Sequence, residues 1–240
     1  MYFAGKETAA SVLATTFCFL AVYGNEQDIV LEEIQMAVKE STGGELQFEQ
    51  YESLVKTRSA FIEALRMIPA GAFTLREARD DTILHVPAGV DADGKLIEET
   101  ISVPKGTLIG ADFIGMRSFP FSSSFLFVSI HEHPYLLHFV TEYNPRTFPN
   151  PGEYRPSRWY DVTSDDAFTA FSIGPRTCIG RKFALTEGVC FIAHVLRDYR
   201  VEPLMERGES LGAWKERVLM KVTHGFTLSI ADAPLKFTRR

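Results

Sequence analysis

The segment that most restricts the fold of this chain is FSIGPRTCIGRK, residues 171–182. Two glycines and a proline predict a tight turn around Cys178, and apolar residues at helical spacing predict a helix from about Arg181 to Leu196. A cysteine at the start of a helix meets free backbone N–H groups and the positive end of the helix dipole, and both favour the thiolate. The segment therefore predicts a site for a stabilised thiolate at the N-terminal end of a core helix.

Several kinds of site could use a thiolate in this position. A phosphate-binding loop of the GxxxxGKS/T type does not fit, because Ile179 stands five residues after Gly174, where that pattern requires a second glycine. A zinc site does not fit, because Cys190 is twelve residues further on and no His or Cys stands at ligand spacing. Local spacing leaves open a catalytic cysteine paired with a distant histidine, and a buried structural cysteine.

The same segment carries a more specific pattern. Its Phe171-x-x-Gly174-x-Arg176-x-Cys178-x-Gly180 resembles the haem-binding signature of the cytochrome P450 family. The resemblance implies that Cys178 is the axial thiolate ligand of the haem iron, and that Gly174 and Gly180 shape the cofactor-binding loop. It also implies that Phe171 packs against the haem and that Arg176 binds a haem propionate by a charge-assisted hydrogen bond.

Three arginines and one glutamate match further landmarks of that family. Glu63 and Arg66 lie three residues apart on a predicted helix, which alone is compatible with a solvated ion pair. They also resemble the family's Glu-x-x-Arg pair, which joins an arginine of a later meander, here Arg158, in a buried structural network. Arg76 resembles a second propionate-binding arginine.

A fourth landmark stands at the beginning of the chain. The sequence Ala4-Gly5-Lys6-Glu7-Thr8 resembles the family's central-helix motif, Ala/Gly-Gly-x-Asp/Glu-Thr. The resemblance implies that Glu7 and Thr8 are catalytic, lining the distal oxygen pocket and helping to pass protons to bound dioxygen. The chain departs from the family at Ala9, where Thr or Ser is usual.

The resemblance implies a mainly α fold with a smaller β region, the cytochrome P450 fold truncated at the N-terminus, with residues 1–240 as its C-terminal part. The apolar run 1–22 is shorter than a membrane span, and we interpret it as the last turns of a buried helix. A helix is predicted from Ile29 to Glu40 with Asp28 as its cap, and another from Phe48 to Ile68. The further predictions are short strands at 82–86, 96–102 and 107–114, a proline-rich segment at 144–160, and strand pairs in the last 25 residues.

Residues 117–142 separate two segments that follow each other almost directly in the family. They are apolar, without helical or strand period, and they contain three of the six histidines. They could form a family-specific loop, or a metal site at His131-Glu132-His133 and His138. Our preferred hypothesis is a translated intron, because Phe, Ser and Leu codons are pyrimidine-rich and removal of the insert restores the family spacing.

Composition excludes some classes of protein. The 25 basic and 31 acidic residues leave a net charge of -6, which argues against a general nucleic-acid surface. The three cysteines, Cys18, Cys178 and Cys190, are an odd and sparse set, which argues against a disulfide-framed secreted domain. Cys18 and Cys190 are expected in the core, on their helices.

The resemblance implies a haem-dependent monooxygenase that inserts one atom of O2 into a small organic substrate, with electrons from NAD(P)H through a reductase. Residues 70–73 would form one pocket wall, and their apolar character suggests a hydrophobic substrate. Arg181 and Lys182 could dock an acidic electron donor, or could simply be solvated. No membrane anchor or clear signal is recognised here, whereas full-length members lie on the cytoplasmic face of the endoplasmic reticulum membrane.

Because the early helices and most substrate-recognition segments of the family are not matched, we expect this chain alone to be impaired in haem binding and turnover. The alternative to a working oxidase is a non-catalytic truncated product that at most binds haem. A thiol enzyme that uses Cys178 without iron is a third hypothesis.

Overall fold

The computed structural model describes residues 2–41, 43–71, 73–90, 96–112, 137–140, 148–162, 168–224 and 227–240. Most of the predicted insert, including His131, Glu132 and His133, lies outside these ranges. His138 falls on a described strand, Leu137–Val140. Within the described ranges, no group of three or more His, Cys, Asp or Glu side chains is placed to hold a metal ion.

The described α-helices form the main body of the fold. They are α1 (Tyr2–Val22), α2 (Gly24–Glu40), α3 (Val55–Met67), α4 (Arg181–Asp198) and α5 (Leu211–Leu219). Residues 15–20 of α1 are all buried, so the C-terminal part of this helix lies in the core, whereas residues 5–7 are exposed. The helix predicted within residues 1–22 is present and its C-terminal part is buried, and the helix predicted after Cys178 is confirmed.

Two helix starts differ from the sequence predictions. Asp28 does not cap α2, which begins at Gly24; the Asp28 carboxylate instead accepts a hydrogen bond from Arg200 at 3.1 Å. The helix predicted from Phe48 is divided, because residues 48–53 form a 3-10 turn and α3 begins only at Val55. The start of α3 depends on a contact that is distant in sequence.

One such contact fixes the start of α3. The Glu33 carboxylate of α2 accepts the backbone N–H groups of Lys56 at 2.7 Å and of Thr57 at 2.9 Å, and the Thr57 hydroxyl at 2.8 Å. Leu54, at the N-cap position, offers no side-chain acceptor. The Glu33 carboxylate, from a neighbouring helix, thus caps the N-terminus of α3 in place of an N-cap side chain.

Replacing Glu33 by glutamine is therefore expected to destabilise the protein by about 1 kcal/mol, because the amide nitrogen cannot accept a hydrogen bond and the charge at the helix N-terminus is lost. Urea unfolding of Glu33→Gln measures the change, and Glu32→Gln, at an exposed neighbouring position of α2, is the control. Equal stability of the two variants would contradict this role of Glu33.

The strands form small separate sheets around the helices. They are β1 (Phe73–Glu77), β2 (Thr82–Val90), β3 (Leu96–Val103), β4 (Leu108–Asp112), β5 (Leu137–Val140), β6 (Tyr199–Pro203), β7 (Val222–His224), β8 (Leu228–Ile230) and β9 (Leu235–Arg239). The sheet order is β1-β4-β5, with β4 and β5 parallel, and three antiparallel pairs join β2 to β3, β6 to β9 and β7 to β8. The strands predicted at 82–86, 96–102 and 107–114 are present as β2, β3 and β4, with residues 113 and 114 outside the described ranges. Of the predicted C-terminal strand pairs, β7 and β8 form one, whereas residues 216–219 belong to α5 and β9 pairs with β6, which lies earlier in the chain.

A buried glutamine joins the central helix to the sheet that follows α4. The Gln27 amide donates to the carbonyls of Leu20 at 3.0 Å and Val201 at 2.8 Å, and its oxygen accepts the Val201 N–H at 3.0 Å. Every polar atom of this amide is thus satisfied inside the protein. The contact fixes β6, and with it the end of α4, against α1.

No described helix is by itself long and apolar enough to cross a membrane. Residues Gly5–Val22 and Gly24–Glu40 meet the length and composition criteria only when taken together, and they are bent by 109° at the break between them.

Candidate functional site

The backbone around Cys178 has the tight turn that its glycines predict. Gly174 has a φ of +69°, a left-handed conformation that glycine adopts without strain, and Ser172 has a φ of +60°, which is rare for a residue with a side chain. The Cys178 N–H donates to the carbonyl of Phe171 at 2.8 Å and closes the loop. Helix α4 begins three residues later, as the sequence predicts.

The thiol of Cys178 is free and exposed to solvent. The apolar side chains of Ile179 and Phe183, which follow it, are 89% and 72% exposed. A Cβ atom on Gly180 would lie 3.9 Å from the sulfur, an ordinary contact, so this glycine lies directly beside the thiol. An exposed thiol within an exposed apolar segment is a surface that a large apolar group can cover.

The aromatic residues before the loop connect it to the core. Phe171 is half-buried and meets Phe168 edge-on, with ring centroids 6.0 Å apart. The Arg181 guanidinium lies 5.9 Å from the centroid of the Phe171 ring. Phe168 is buried and meets Trp159 edge-on at 5.3 Å.

The buried carboxylate of Glu63 lies beside Trp159. Glu63 is fully buried and accepts hydrogen bonds from Arg66 Nε and Arg66 Nη2, both at 2.9 Å, and from Arg158 Nε at 2.9 Å. It also accepts the indole N–H of Trp159 at 2.7 Å and the backbone N–H of Arg155 at 3.0 Å. The structure thus places Glu63, Arg66 and Arg158 in one hydrogen-bonded network.

The arginines of this network also hold the segment between Phe148 and Trp159. Arg158 donates to the carbonyls of Pro149 at 3.1 Å and Glu153 at 3.2 Å, and Arg66 donates to that of Glu153 at 3.3 Å. Carbonyl groups without regular secondary-structure partners are in this way paired with guanidinium donors.

Tyr154 anchors the same segment to the central helices. Its hydroxyl donates to the carbonyl of Ala60 at 3.0 Å, and its ring stacks on Phe19 with centroids 4.6 Å apart. Burial, the largest cause, and the nearby Glu63 carboxylate raise the pKa of the Tyr154 hydroxyl well above its ordinary value. The hydroxyl therefore stays protonated and remains a donor.

The predicted propionate-binding arginines, Arg176 and Arg76, lie on two different elements of the structure. Arg176 is exposed in the 3-10 turn Gly174–Arg176 and makes no hydrogen bond or ion pair with the described residues. Arg76 is exposed on β1, where its Nη1 donates to the Thr74 hydroxyl at 2.6 Å and to the Leu75 carbonyl at 2.8 Å.

The predicted proton-relay residues lie near the start of α1. Glu7 is exposed, and the Thr8 hydroxyl donates to the Gly5 carbonyl at 3.4 Å, a long hydrogen bond. One turn later, the Ser11 hydroxyl donates to the Leu228 carbonyl at 2.8 Å and fixes this part of α1 against β8.

The residues around Cys178 fit a haem. A haem needs one soft ligand for iron, an apolar surface for the macrocycle and cations for its propionates. The exposed thiol of Cys178, the exposed ring of Phe183 and the guanidinium of Arg176, which has no hydrogen-bonding or ion-pair partner among the described residues, match these three requirements in chemistry.

Sequence reasoning missed Trp159 and Phe168 as neighbours of the site. Trp159 directly follows Arg158, but a tryptophan in a proline-rich segment carries no signal that its N–H reaches a glutamate 96 positions earlier. Such contacts become visible only when the chain is folded.

Comparisons with known proteins agree with these features. The family model described as "Cytochrome P450" matches residues 1–91 and 135–227. The predicted insert, 117–142, overlaps the unmatched stretch only in part and remains a prediction. A solved cytochrome P450 crystal structure superposes with a TM-score of 0.68 at 22% identity, over 99% of this chain and 43% of that one.

Curated relatives match over most of this chain but over less than half of their own length. The chain is 29% identical to "Cytochrome P450 monooxygenase 124" of Postia placenta, over 99% of this chain and 40% of that protein. It is 28% identical to "Cytochrome P450 6B1" of Papilio polyxenes, over 85% of this chain and 34% of that protein. The family match covers well over half of the residues, and the chain belongs to the cytochrome P450 family.

Proposed function

We propose that this chain provides the haem-binding part of a haem-thiolate monooxygenase, with Cys178 as the axial ligand. The observation that carries the proposal is the exposed thiol of Cys178, in a closed loop directly before α4, in a chain of this family. Phe171, Gly174 and Gly180 would form the wall of the loop beside the cofactor.

When bound, such a haem supplies the activation of O2, by which one oxygen atom enters an organic substrate and the other leaves as water. Arg176 and Arg76 would bind its propionates. Arg176 is suited to this because its guanidinium is exposed in the loop of the ligand, whereas Arg76 would have to exchange its bonds to Thr74 and Leu75 for a propionate.

Glu7 and Thr8 would hold and move protons at the start of α1. An exposed carboxylate can take a proton from solvent, and a hydroxyl both donates and accepts, so the pair can pass a proton along the start of α1. The contact of Ser11 with the Leu228 carbonyl would hold this turn of the helix in place.

Electrons would come from NAD(P)H through a reductase. Arg181 and Lys182 would receive an acidic face of that donor beside the Cys178 loop. They line a groove of about 350 Å³ together with Arg58, and the one acidic residue in its lining, Glu52, lies 4.0 Å from Lys182. This local excess of positive charge supports docking of an acidic partner, which would weaken as salt increases.

The substrate would be a small hydrophobic molecule. The support for it is the apolar character of residues 70–73, of which Ala72 lies outside the described residues. Ala70 is buried, and its carbonyl accepts the Leu228 N–H at 2.9 Å. We further propose that the whole protein acts at the cytoplasmic face of the endoplasmic reticulum membrane.

The decisive variant is Cys178→Ser. The chain reconstituted with haem is expected to give the ferrous–CO spectrum of thiolate ligation, and Cys178→Ser is expected to lose it completely, because a serine hydroxyl is a poor ligand for this iron. Cys190→Ser, at a half-buried position of α4, is the matched control and should keep the spectrum. A thiolate spectrum in Cys178→Ser would refute the proposed ligand, and haem binding without turnover in the presence of a reductase would favour a non-catalytic product.

A further inference from the structure

The Trp159 side chain lies between the buried Glu63 carboxylate and the aromatic residues that lead to the Cys178 loop. Its indole N–H donates to Glu63 Oε2 at 2.7 Å, and the side chain is buried. Its ring meets Phe168 with centroids 5.3 Å apart and planes at 72°. Phe168 meets Phe171 in the same edge-on manner, at 6.0 Å and 74°.

This row of rings ends at the backbone of the proposed ligand. The carbonyl of Phe171 accepts the Cys178 N–H at 2.8 Å. One continuous path of packing and hydrogen bonds thus runs from Glu63 through three aromatic rings to Cys178. Trp159 and Phe168 are buried and Phe171 is half-buried, and in such close packing a rotation of one ring displaces the next.

The hydrogen bond of Trp159 fixes the first ring of this path. The same Glu63 oxygen also accepts Arg66 Nε at 2.9 Å, and the other oxygen accepts Arg158 Nε at 2.9 Å. Because guanidinium groups hold both oxygens, the carboxylate cannot turn to follow the indole. The indole must instead take the orientation that the carboxylate sets, because its hydrogen bond goes to a charged acceptor and such bonds are strong.

We propose that Trp159 is a positioning residue, which transmits the fixed orientation of the Glu63 carboxylate to the loop that carries Cys178. The inference rests on the proposed function, because that function makes Cys178 the haem ligand whose position matters. The packing path itself exists without the cofactor, so it is tested without the cofactor first.

The test compares the two tryptophans of the chain in matched variants. Trp159→Phe keeps an aromatic ring and removes the N–H donor together with part of the indole volume, and Trp214→Phe removes the same atoms. Trp214→Phe is the control, because Trp214 is also fully buried but its Nε1 has no hydrogen-bond partner in the described part of the chain. Backbone hydrogen exchange, followed in peptides that cover residues 171–180, reports whether the bond from Cys178 N–H to Phe171 opens more often.

We expect exchange in residues 171–180 to become about tenfold faster in Trp159→Phe, as the loss of a hydrogen bond to a charged group allows, with α4 residues 189–196 unchanged. Trp214→Phe should instead affect α5 and leave the loop unchanged. If Trp159→Phe leaves loop exchange unchanged, or if Trp214→Phe accelerates it equally, the proposal is wrong.

A spectroscopic measurement separates positioning from a general structural effect. After haem reconstitution, Trp159→Phe should give a larger fraction of the ferrous–CO spectrum of thiol rather than thiolate ligation than Trp214→Phe does. Phe168→Leu breaks the path without touching Glu63 and replaces Trp159→Phe if that variant does not fold. Equal thiolate fractions in the variant and the control would overturn the inference, even if Cys178 proves to be the ligand.

Discussion

Glu63→Gln is expected to lower the free energy of unfolding by about 3–5 kcal/mol, the usual loss when one partner of a buried ion pair is removed. Arg66 is fully buried and the Arg158 side chain is 7% exposed, so the substitution leaves two guanidinium groups without their carboxylate in a region of low dielectric. The glutamine amide also places an NH2 group, which can only donate, against donors that face a carboxylate oxygen in the original chain.

Urea unfolding of the 240-residue chain measures this loss, and Glu153→Gln is the matched control. Glu153 contributes its backbone carbonyl to the same network, whereas its carboxylate is half exposed and lies 3.9 Å from Arg155. An exposed pair of this kind contributes less than about 1 kcal/mol. A loss of less than about 1 kcal/mol in Glu63→Gln would mean that the buried carboxylate is not the centre of this network.

A double variant tests the physical reason. Replacing Glu63 by leucine together with Arg66 by methionine removes both charges of the fully buried pair on α3 and substitutes apolar side chains of similar length. Buried ion pairs can be replaced in this way with little loss, so the double variant should be more stable than Glu63→Leu alone. Equal or lower stability would show that the packing shape of Glu63, rather than charge pairing, determines the effect.

The sequence predicted those parts of the site that depend on local chemistry. The two glycines and the proline around Cys178 predict the turn, and the apolar spacing after Arg181 predicts α4; both are present. Glu63 and Arg66 are three residues apart, and this spacing predicts that they lie on one face of the helix, where they form an ion pair. In each case the information lies within a few residues, where backbone geometry and periodicity act.

Contacts between distant residues could not be predicted from those patterns. Glu33 caps a helix that begins 22 residues later, and Trp159 reaches Glu63 across 96 positions. A capping residue is recognised by its place just before a helix, so a carboxylate from a neighbouring helix leaves no such pattern. Asp28 shows the converse: its place just before an apolar helical pattern predicts a cap, but in the structure its carboxylate accepts a hydrogen bond from Arg200, 172 positions further on.

The close approach of α3 and α4 gives the second large effect, and Gly188 makes that approach possible. A Cβ atom at this position would lie 2.6 Å from Cε2 of Phe61 and 2.9 Å from two further atoms of the same ring. Phe61 is 2% exposed and packs within the main hydrophobic cluster, so its ring has no free space to enter.

Gly188→Ala is therefore expected to destabilise the protein by about 1–3 kcal/mol, the usual range for an overpacked core, although alanine is the better helix former. Gly212→Ala in α5 is the matched control, because its Cβ would meet only Ser210 Oγ at 3.9 Å, an ordinary contact. That substitution should leave stability unchanged or increase it by up to about 1 kcal/mol. The same substitution, glycine to alanine, is thus expected to lower the free energy of unfolding at position 188 and to leave it unchanged or raise it at position 212.

Thermal unfolding of the two variants measures the difference, and Phe61→Leu tests its cause. If the clash with the ring produces the loss, Gly188→Ala should cost less in a Phe61→Leu background than in the original chain, a non-additivity typical of residues in contact. Because α4 begins three residues after Cys178, forcing α4 away from α3 should also displace the Cys178 loop from the Glu63 network and reduce haem retention. Additive effects of the two substitutions would mean that the helices can separate without strain, and that Gly188 does not set the distance between the buried Glu63 network and the Cys178 loop.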